Sequence, residues 1–308
     1  MENKPLVSIV VITYNSSEYV LETLESAKAQ TYTNIELIVS DDCSTDETVS
    51  ICKKWFEANK DRFVNTIMVE AEINSGVPAN ANRGLAECKG EWIKFIAGDD
   101  ILVSTGIEEF VKKYEGGGDL VVCDLQRFHV DKETGGKIYG GIYPNEKRRK
   151  MLHFDLVTQQ KNILTSFFIV TPALLIRHRL FDEIGGYDEE YRYMEDYPFV
   201  YKCLYNNHKF DYLPIKMVYY RVGHGSITSN VGVFYNERFY QCRKAFLQKE
   251  IYGQIPFWNI LYWENEWVDR VRHYILYSIC RNKKNKYTSM ISKIITTLSI
   301  KAWYDRED

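Results

Sequence analysis

The run LVSIVVI, Leu6 to Ile12, constrains the fold more than any other stretch of this chain. It is almost continuously aliphatic and β-branched, with no polar face. A strand of that kind must be covered on both sides, as in a parallel sheet clad by helices. The next hundred or so residues keep to that plan. A polar turn, TYNSS, leads to Glu18–Gln30, where Val20, Leu21, Leu24 and Ala27 recur at helical spacing. Ile35–Val39 is a second short apolar strand, and Val49, Ile51, Trp55 and Phe56 mark a second helix. Thr66–Val69, a helix over about residues 79 to 86, Trp92–Ile96 and Leu120–Cys123 continue the alternation. The pattern predicts an α/β fold with a mostly parallel central sheet flanked by helices.

In such sheets, ligands bind beyond the carboxyl ends of the strands. Three strands end in polar turns: TYN, SDDCSTD and AGDD. An isolated Asp-Asp pair is ordinarily a solvated turn or a helix cap. Three such turns on one edge point instead to a site, with Asp99 and Asp100 at its centre. Further on, Asp131–Lys150 is rich in Gly and Lys and reads as an exposed loop, either a lid or a plain surface hairpin. Asp196–Asn206 reads as a helix, and Tyr212–Tyr220 as strand-like. The tail carries two amphipathic helical stretches, Trp258–Ile279 and Tyr287–Ala302, joined through the basic linker RNKKNKY. The expected organisation is a catalytic domain over 1–228, with a nucleotide-binding half to about 125 and an acceptor half from 126, then a helical extension over 229–308.

Composition excludes several classes. A net charge of −3 gives no general attraction to nucleic acid. Seven scattered Cys without a C-x-x-C pair read as reduced thiols in a cytosolic protein, and six His without an H-x-x-x-H pair give no zinc-type spacing. The N-terminus lacks the long apolar region of a signal peptide, and ILTSFFIVTPALLI is too short to span a bilayer. The expected location is therefore cytoplasmic, or peripheral on the inner face of the membrane. The 23 Tyr suit a sugar-binding or interfacial surface.

Polyphosphate binding needs either a Gly-rich loop at a helix N-terminus or a cation. Neither G-x-G-x-x-G nor G-x-x-x-x-G-K-[ST] occurs. Mg²⁺ or Mn²⁺ is held by one or two carboxylates, with phosphates filling other positions, and Asp99 and Asp100 suit that task. Tyr14 can stack on a base, and Asp41 can accept from one.

Five ordered motifs resemble the family 2 glycosyltransferases: VSIVVITYNSSEYVLETLESAKAQTYTNIELIVSDDCSTDET, NSGVPANANRGL, GEWIKFIAGDD, GGYDEEYRYMED and YYRVGHGSIT. The match covers about residues 6 to 225. It implies a GT-A-type fold with a mixed sheet, and an inverting transfer of a sugar from a nucleotide-sugar, UDP-sugar first among the donors, to a hydroxyl of a saccharide or lipid-linked saccharide. It implies that Thr13, Tyr14, Asn15 and Glu18 line the nucleotide pocket, with Asp41 meeting the base and Asp42 and Ser44 supporting. Gly76, Asn82 and Asp99 join that set, Asp99 near the ribose. Asp100, with Asp99 and His224, would hold Mg²⁺ or Mn²⁺, and Asp196, with Glu195 next in line, would be the general base.

Two positions depart from the family pattern. Ala97 stands where a further Asp is usual, and Ala81 where an Arg is usual, with Asn82 and Arg83 following. Plainer readings stand beside the functional ones. Asp46 and Asp196 can cap helices, Glu18 can favour a helix N-terminus, and Gly76 and Gly84 can be backbone permits. A glycosidase with paired carboxylates, or a non-catalytic saccharide- or nucleotide-binding protein on the same fold, is the alternative function. The tail, with Trp258, Trp263, Trp267 and Trp303, either lies on a membrane surface, packs on the catalytic domain or forms a homodimer.

Overall fold

A computed structural model describes residues 4–166, 169–223, 232–297 and 299–300. The chain divides into two compact units, Met1–Val222 and Gly223–Asp308.

In the first unit, the strands β1 (Val7–Thr13), β2 (Ile35–Asp41), β3 (Thr66–Glu70) and β4 (Trp92–Ala97) alternate with the helices α1 (Val20–Lys28), α2 (Thr48–Asn59) and α3 (Val77–Ala86). The short β5 (Ile101–Leu102) and α4 (Gly106–Lys113) come next. Then come β6 (Leu120–Val130), β7 (Lys137–Tyr143), α5 (Glu146–Leu152), α6 (Leu156–Thr165), β8 (Leu174–Arg177), α7 (His178–Ile184), α8 (Asp196–Tyr205) and β9 (Phe210–Arg221). The nine strands form one sheet in the order β3-β2-β1-β4-β8-β6-β9-β5, with β7 beside β6. β1 to β4 are mutually parallel, β6 and β9 are parallel, and β8, β7 and β5 run antiparallel to their neighbours. This mixed sheet is the expected one.

β1 is buried along nearly its whole length because helices cover both faces. Gly84 lets α3 approach closely: a Cβ there would stand 2.5 Å from Val10 Cγ1 on β1. Lys94 departs from the apolar reading of β4. It is fully buried, and its Nζ donates to the carbonyl oxygens of Pro172 and Leu174. Burial pushes its pKa down to about 8.

Asp131–Lys150 is not a structureless loop. β6 and β7 form a hairpin closed by Asp131, whose Oδ1 accepts from the N–H groups of Glu133 and Thr134, and α5 begins at Glu146. Of the Gly and Lys residues that suggested a loop, Lys137, Gly140 and Gly141 lie on the exposed β7, Gly135 and Gly136 in the hairpin turn, and Lys147 and Lys150 on α5.

The second unit contains α9 (Glu237–Phe246), α10 (Ile260–His273), which continues through a wider turn to Ile279, and α11 (Lys286–Thr297). Arg272 Nε donates to Ser292 Oγ at 2.9 Å, tying α10 to α11. Among the described residues no helix is long and apolar enough to cross a membrane. His224 and Trp303 lie outside the described residues.

Candidate active site

The parallel register builds the site. Thr13 lies level with Asp41 across β1 and β2, and Ile12 level with Ala97 across β1 and β4. The turns TYN, SDD and GDD therefore leave the sheet at one edge.

At the second of these turns, Asp41 is buried and acts as a hub. Its carboxylate accepts from Thr13 Oγ1 at 2.8 Å, Ser44 N–H at 2.7 Å and Ser44 Oγ at 2.6 Å. Ser44 Oγ in turn accepts from the Asn15 N–H at 2.7 Å, and Asn15 Oδ1 accepts from Thr45 N–H. Asn15 holds φ at +48°, a left-handed conformation that Asn tolerates. Tyr14, half-exposed, and Glu18, also exposed, lie in the chain beside this network. Asp46 behaves as a cap: its Oδ1 accepts from Thr48 N–H at 3.0 Å, at the start of α2.

Asp42 organises the next loop. It accepts from the N–H groups of Ser75 and Gly76, and it pairs with Arg83 at 2.5 Å. Arg83 is thus spent on a protein carboxylate. Gly76 is a backbone permit in the strict sense. Its φ is +95°, and a Cβ would lie 2.3 Å from Arg192 Cγ. Asn82 has both ends of its amide engaged: Nδ2 donates to the Tyr187 carbonyl and to Glu189, and Oδ1 accepts from Tyr187 N–H. It fastens α3 to the GGYDEE turn. Arg192 adds to that fastening by donating to Asn74 O and Oδ1. The sequence carried no signal for this role, because the partners are about a hundred residues apart.

At the end of β4, Asp99 is half-buried and Asp100 fully buried. Asp100 Oδ1 accepts from the Arg221 N–H at 2.8 Å, whereas Oδ2 is buried with no hydrogen-bond partner. Burial, and next the charge of Asp99, push the Asp100 carboxyl well above its ordinary range. Arg221 braces this turn. Its Nε donates to the Asp99 carbonyl at 2.8 Å, its Nη2 pairs with Glu22 on α1, and its guanidinium lies over the rings of Tyr19 and Phe128 at 4.6 and 4.7 Å. Glu22 also pairs with Lys137 of β7 at 2.5 Å. Neither Arg221 nor Glu22 stood out in the sequence. The only cue was that Arg221 falls in the YYRVGHGSIT motif.

Glu195 and Asp196 are half-buried at the start of α8. Asp196 Oδ1 accepts from the Tyr197 N–H at 2.8 Å, while the N-cap position of α8 is Glu195, which makes no side-chain cap bond. Burial, then the adjacent Glu195 carboxylate, hold Asp196 well above the usual carboxylate range, and burial raises Glu195 as well. Tyr220 joins the two halves. Burial raises its phenol, and then the charges of Asp100, Asp99, Glu195 and Asp196 do so in that order. Both acidic pairs therefore lie within electrostatic reach of one hydroxyl, although about 95 residues separate them in the chain.

A buried carboxylate pair at the carboxyl edge of parallel strands lies where α/β folds bind their ligands. The family model "Glycosyl transferase family 2" matches residues 8–185, and the chain belongs to that family. An uncharacterised glycosyltransferase of Haemophilus influenzae is 30% identical over 86% of this chain and 76% of its own length. The UDP-Glc:alpha-D-GlcNAc-diphosphoundecaprenol beta-1,3-glucosyltransferase WfaP of Escherichia coli is 27% identical over 73% of this chain and 80% of its own. Some relatives are longer: the chain spans 58–59% of two Rickettsia glycosyltransferases. Among solved structures, S. aureus TarS 1-349 in complex with UDP-GlcNAc superposes with a TM-score of 0.56 at 19% identity, covering 87% of this chain and 81% of TarS 1-349. The fold is thus of the GT-A type.

Proposed function

We propose that this protein moves a sugar, with inversion, from a UDP-sugar to a hydroxyl of a saccharide or lipid-linked saccharide. The observation that carries the reading is Asp100, buried at the strand edge that the β1, β2 and β4 turns share, with one carboxylate oxygen that no protein donor satisfies. Asp99–Asp100 serves the nucleotide side and Glu195–Asp196 the acceptor. The names of WfaP and of the TarS complex supply the donor class, and that of WfaP supplies the lipid-linked acceptor.

The residues fit a divalent cation. Asp100 presents a buried carboxylate oxygen that no protein donor satisfies, and a hard cation needs only one or two carboxylates beside its phosphates. Asp99 and Asp100 would hold Mg²⁺ or Mn²⁺; when bound, the cation offsets the charge growing on the departing diphosphate. The rest of the work falls to the chain. Tyr14 and the Asn15–Ser44 turn receive the base, with Asp41 fixing that turn from below. Arg221 keeps the Asp99–Asp100 turn in place. Asp196 takes the acceptor hydroxyl's proton, which a raised carboxyl pKa favours, since a base works best when its pKa nears the working pH.

A thermal-shift screen of UDP, GDP, dTDP and CMP with Mn²⁺ tests the reading. A ligand at a hundred times its Kd stabilises by about 2.7 kcal/mol. A shift with UDP that chelator abolishes supports the assignment, and no shift with any of the four contradicts it.

A further inference from the structure

The near-neutral total charge conceals a division. The first 222 residues carry 26 Lys and Arg against 34 Asp and Glu, a net of −8; from Gly223 onward the count is 13 against 8, a net of +5. Charge asymmetry of this kind points to a partner for the cationic part.

The surface of the second unit has matching features. On α10, Ile260, Trp267 and Tyr274 recur every seven residues, which places them in one stripe, and they are 71%, 65% and 62% exposed. The opposite side of the helix is the one that packs, through Tyr262, Glu266 and Val268. On α11, Tyr287, Met290 and Ile294 form a second exposed stripe at i, i+3 and i+7. Lys286 and Lys293 fall in the same helical arc and are exposed, as are Lys283 and Lys284 just before the helix. Trp258, 69% exposed, precedes α10. Contiguous apolar surface left in water marks a docking face.

Charge selects the occupant. Pairing this face with the same face of a second copy would set these lysines against their own like. An anionic bilayer meets both features, taking the apolar stripes into its headgroup boundary while its phosphates face the lysines. Trp and Tyr favour that depth. We propose that the α10–α11 face of the C-terminal unit seats this protein on an anionic phospholipid surface, lying on it rather than crossing it. Such seating is independent of the proposed reaction and can be measured without turnover.

Full-length protein is sedimented with vesicles of phosphatidylcholine alone and of phosphatidylcholine mixed with phosphatidylglycerol. Binding is expected only to the mixed vesicles, weakening as salt shortens the screening length to about 8 Å. The triple variant Lys283→Gln, Lys284→Gln, Lys286→Gln should reduce binding about tenfold or more, since each lysine near such a surface contributes several-fold. Trp258→Ser with Trp267→Ser should also release the protein, with an unchanged melting temperature confirming an intact fold. If wild-type protein stays in the supernatant with both vesicle types, or the lysine variant binds as well as wild type, the proposal is overturned. Light scattering that shows a dimer, broken by Trp267→Ser, in protein that ignores vesicles would assign the face to a second copy instead.

Discussion

Asp196 and Arg221 bear on the chemistry in different ways, and each makes a separable prediction. If Asp196 must be ionised to accept a proton, transfer should fall as pH drops through its pKa. Burial and Glu195 both raise that pKa, so the acid limb should lie above the ordinary Asp value of about 3.9. Glu195→Gln removes the like charge and lowers the Asp196 pKa, moving the limb to lower pH. Because burial is the larger cause, the move should be partial. A pH–rate profile of the two proteins checks the direction, and an upward move contradicts it. Arg221→Lys keeps a positive charge but loses the fixed fork that reaches Asp99 and Glu22 together. The Mn²⁺ concentration for half-maximal UDP binding should rise, while saturating Mn²⁺ restores binding. Unchanged Mn²⁺ dependence, read by calorimetry, would remove Arg221 from the account.

At the scale of elements, the loop before α3 is held by close backbone approach rather than by apolar burial. Gly76→Ala forces a Cβ against Arg192 at a left-handed φ. Strain of that kind costs about 1–3 kcal/mol. The melting temperature should drop by several degrees, with UDP binding weakened because Asp42 and the α3 entry shift together. A variant as stable as wild type would show that the loop relaxes freely. The same elements mark how far the sequence could be read. β1, β2, β4 and the helices between them were legible because their apolar periods are local. β7 was legible only as one of two readings, a plain surface hairpin or a lid, because six of its seven residues are exposed and no apolar face marks it as a strand. The burial of Lys94 could not be read locally, since the carbonyls that satisfy it come from about eighty residues away.

Over the whole molecule, the site is a product of topology. The polar turns after β1, β2 and β4, with the aspartates of the last two, could be grouped from the sequence because parallel strands share one carboxyl edge. That Glu195–Asp196 belongs with them was implied only by the family resemblance; β9, which pairs with β5 just after Asp100, carries Arg221 and also Tyr220, whose phenol the charges of both acidic pairs raise. The roles of Asn82, Arg83 and Arg192 were illegible for the same reason, as each depends on a partner brought in by the fold. The central claim is that one acidic pair serves the nucleotide and the other the acceptor. The most direct test is UDP release from UDP-sugars by Asp196→Asn, measured with an acceptor extract at saturating donor, beside its affinity for UDP. Losing a general base costs about 10²–10⁴-fold in rate. The account predicts a loss of that size with UDP affinity unchanged; release at close to the wild-type rate would contradict it.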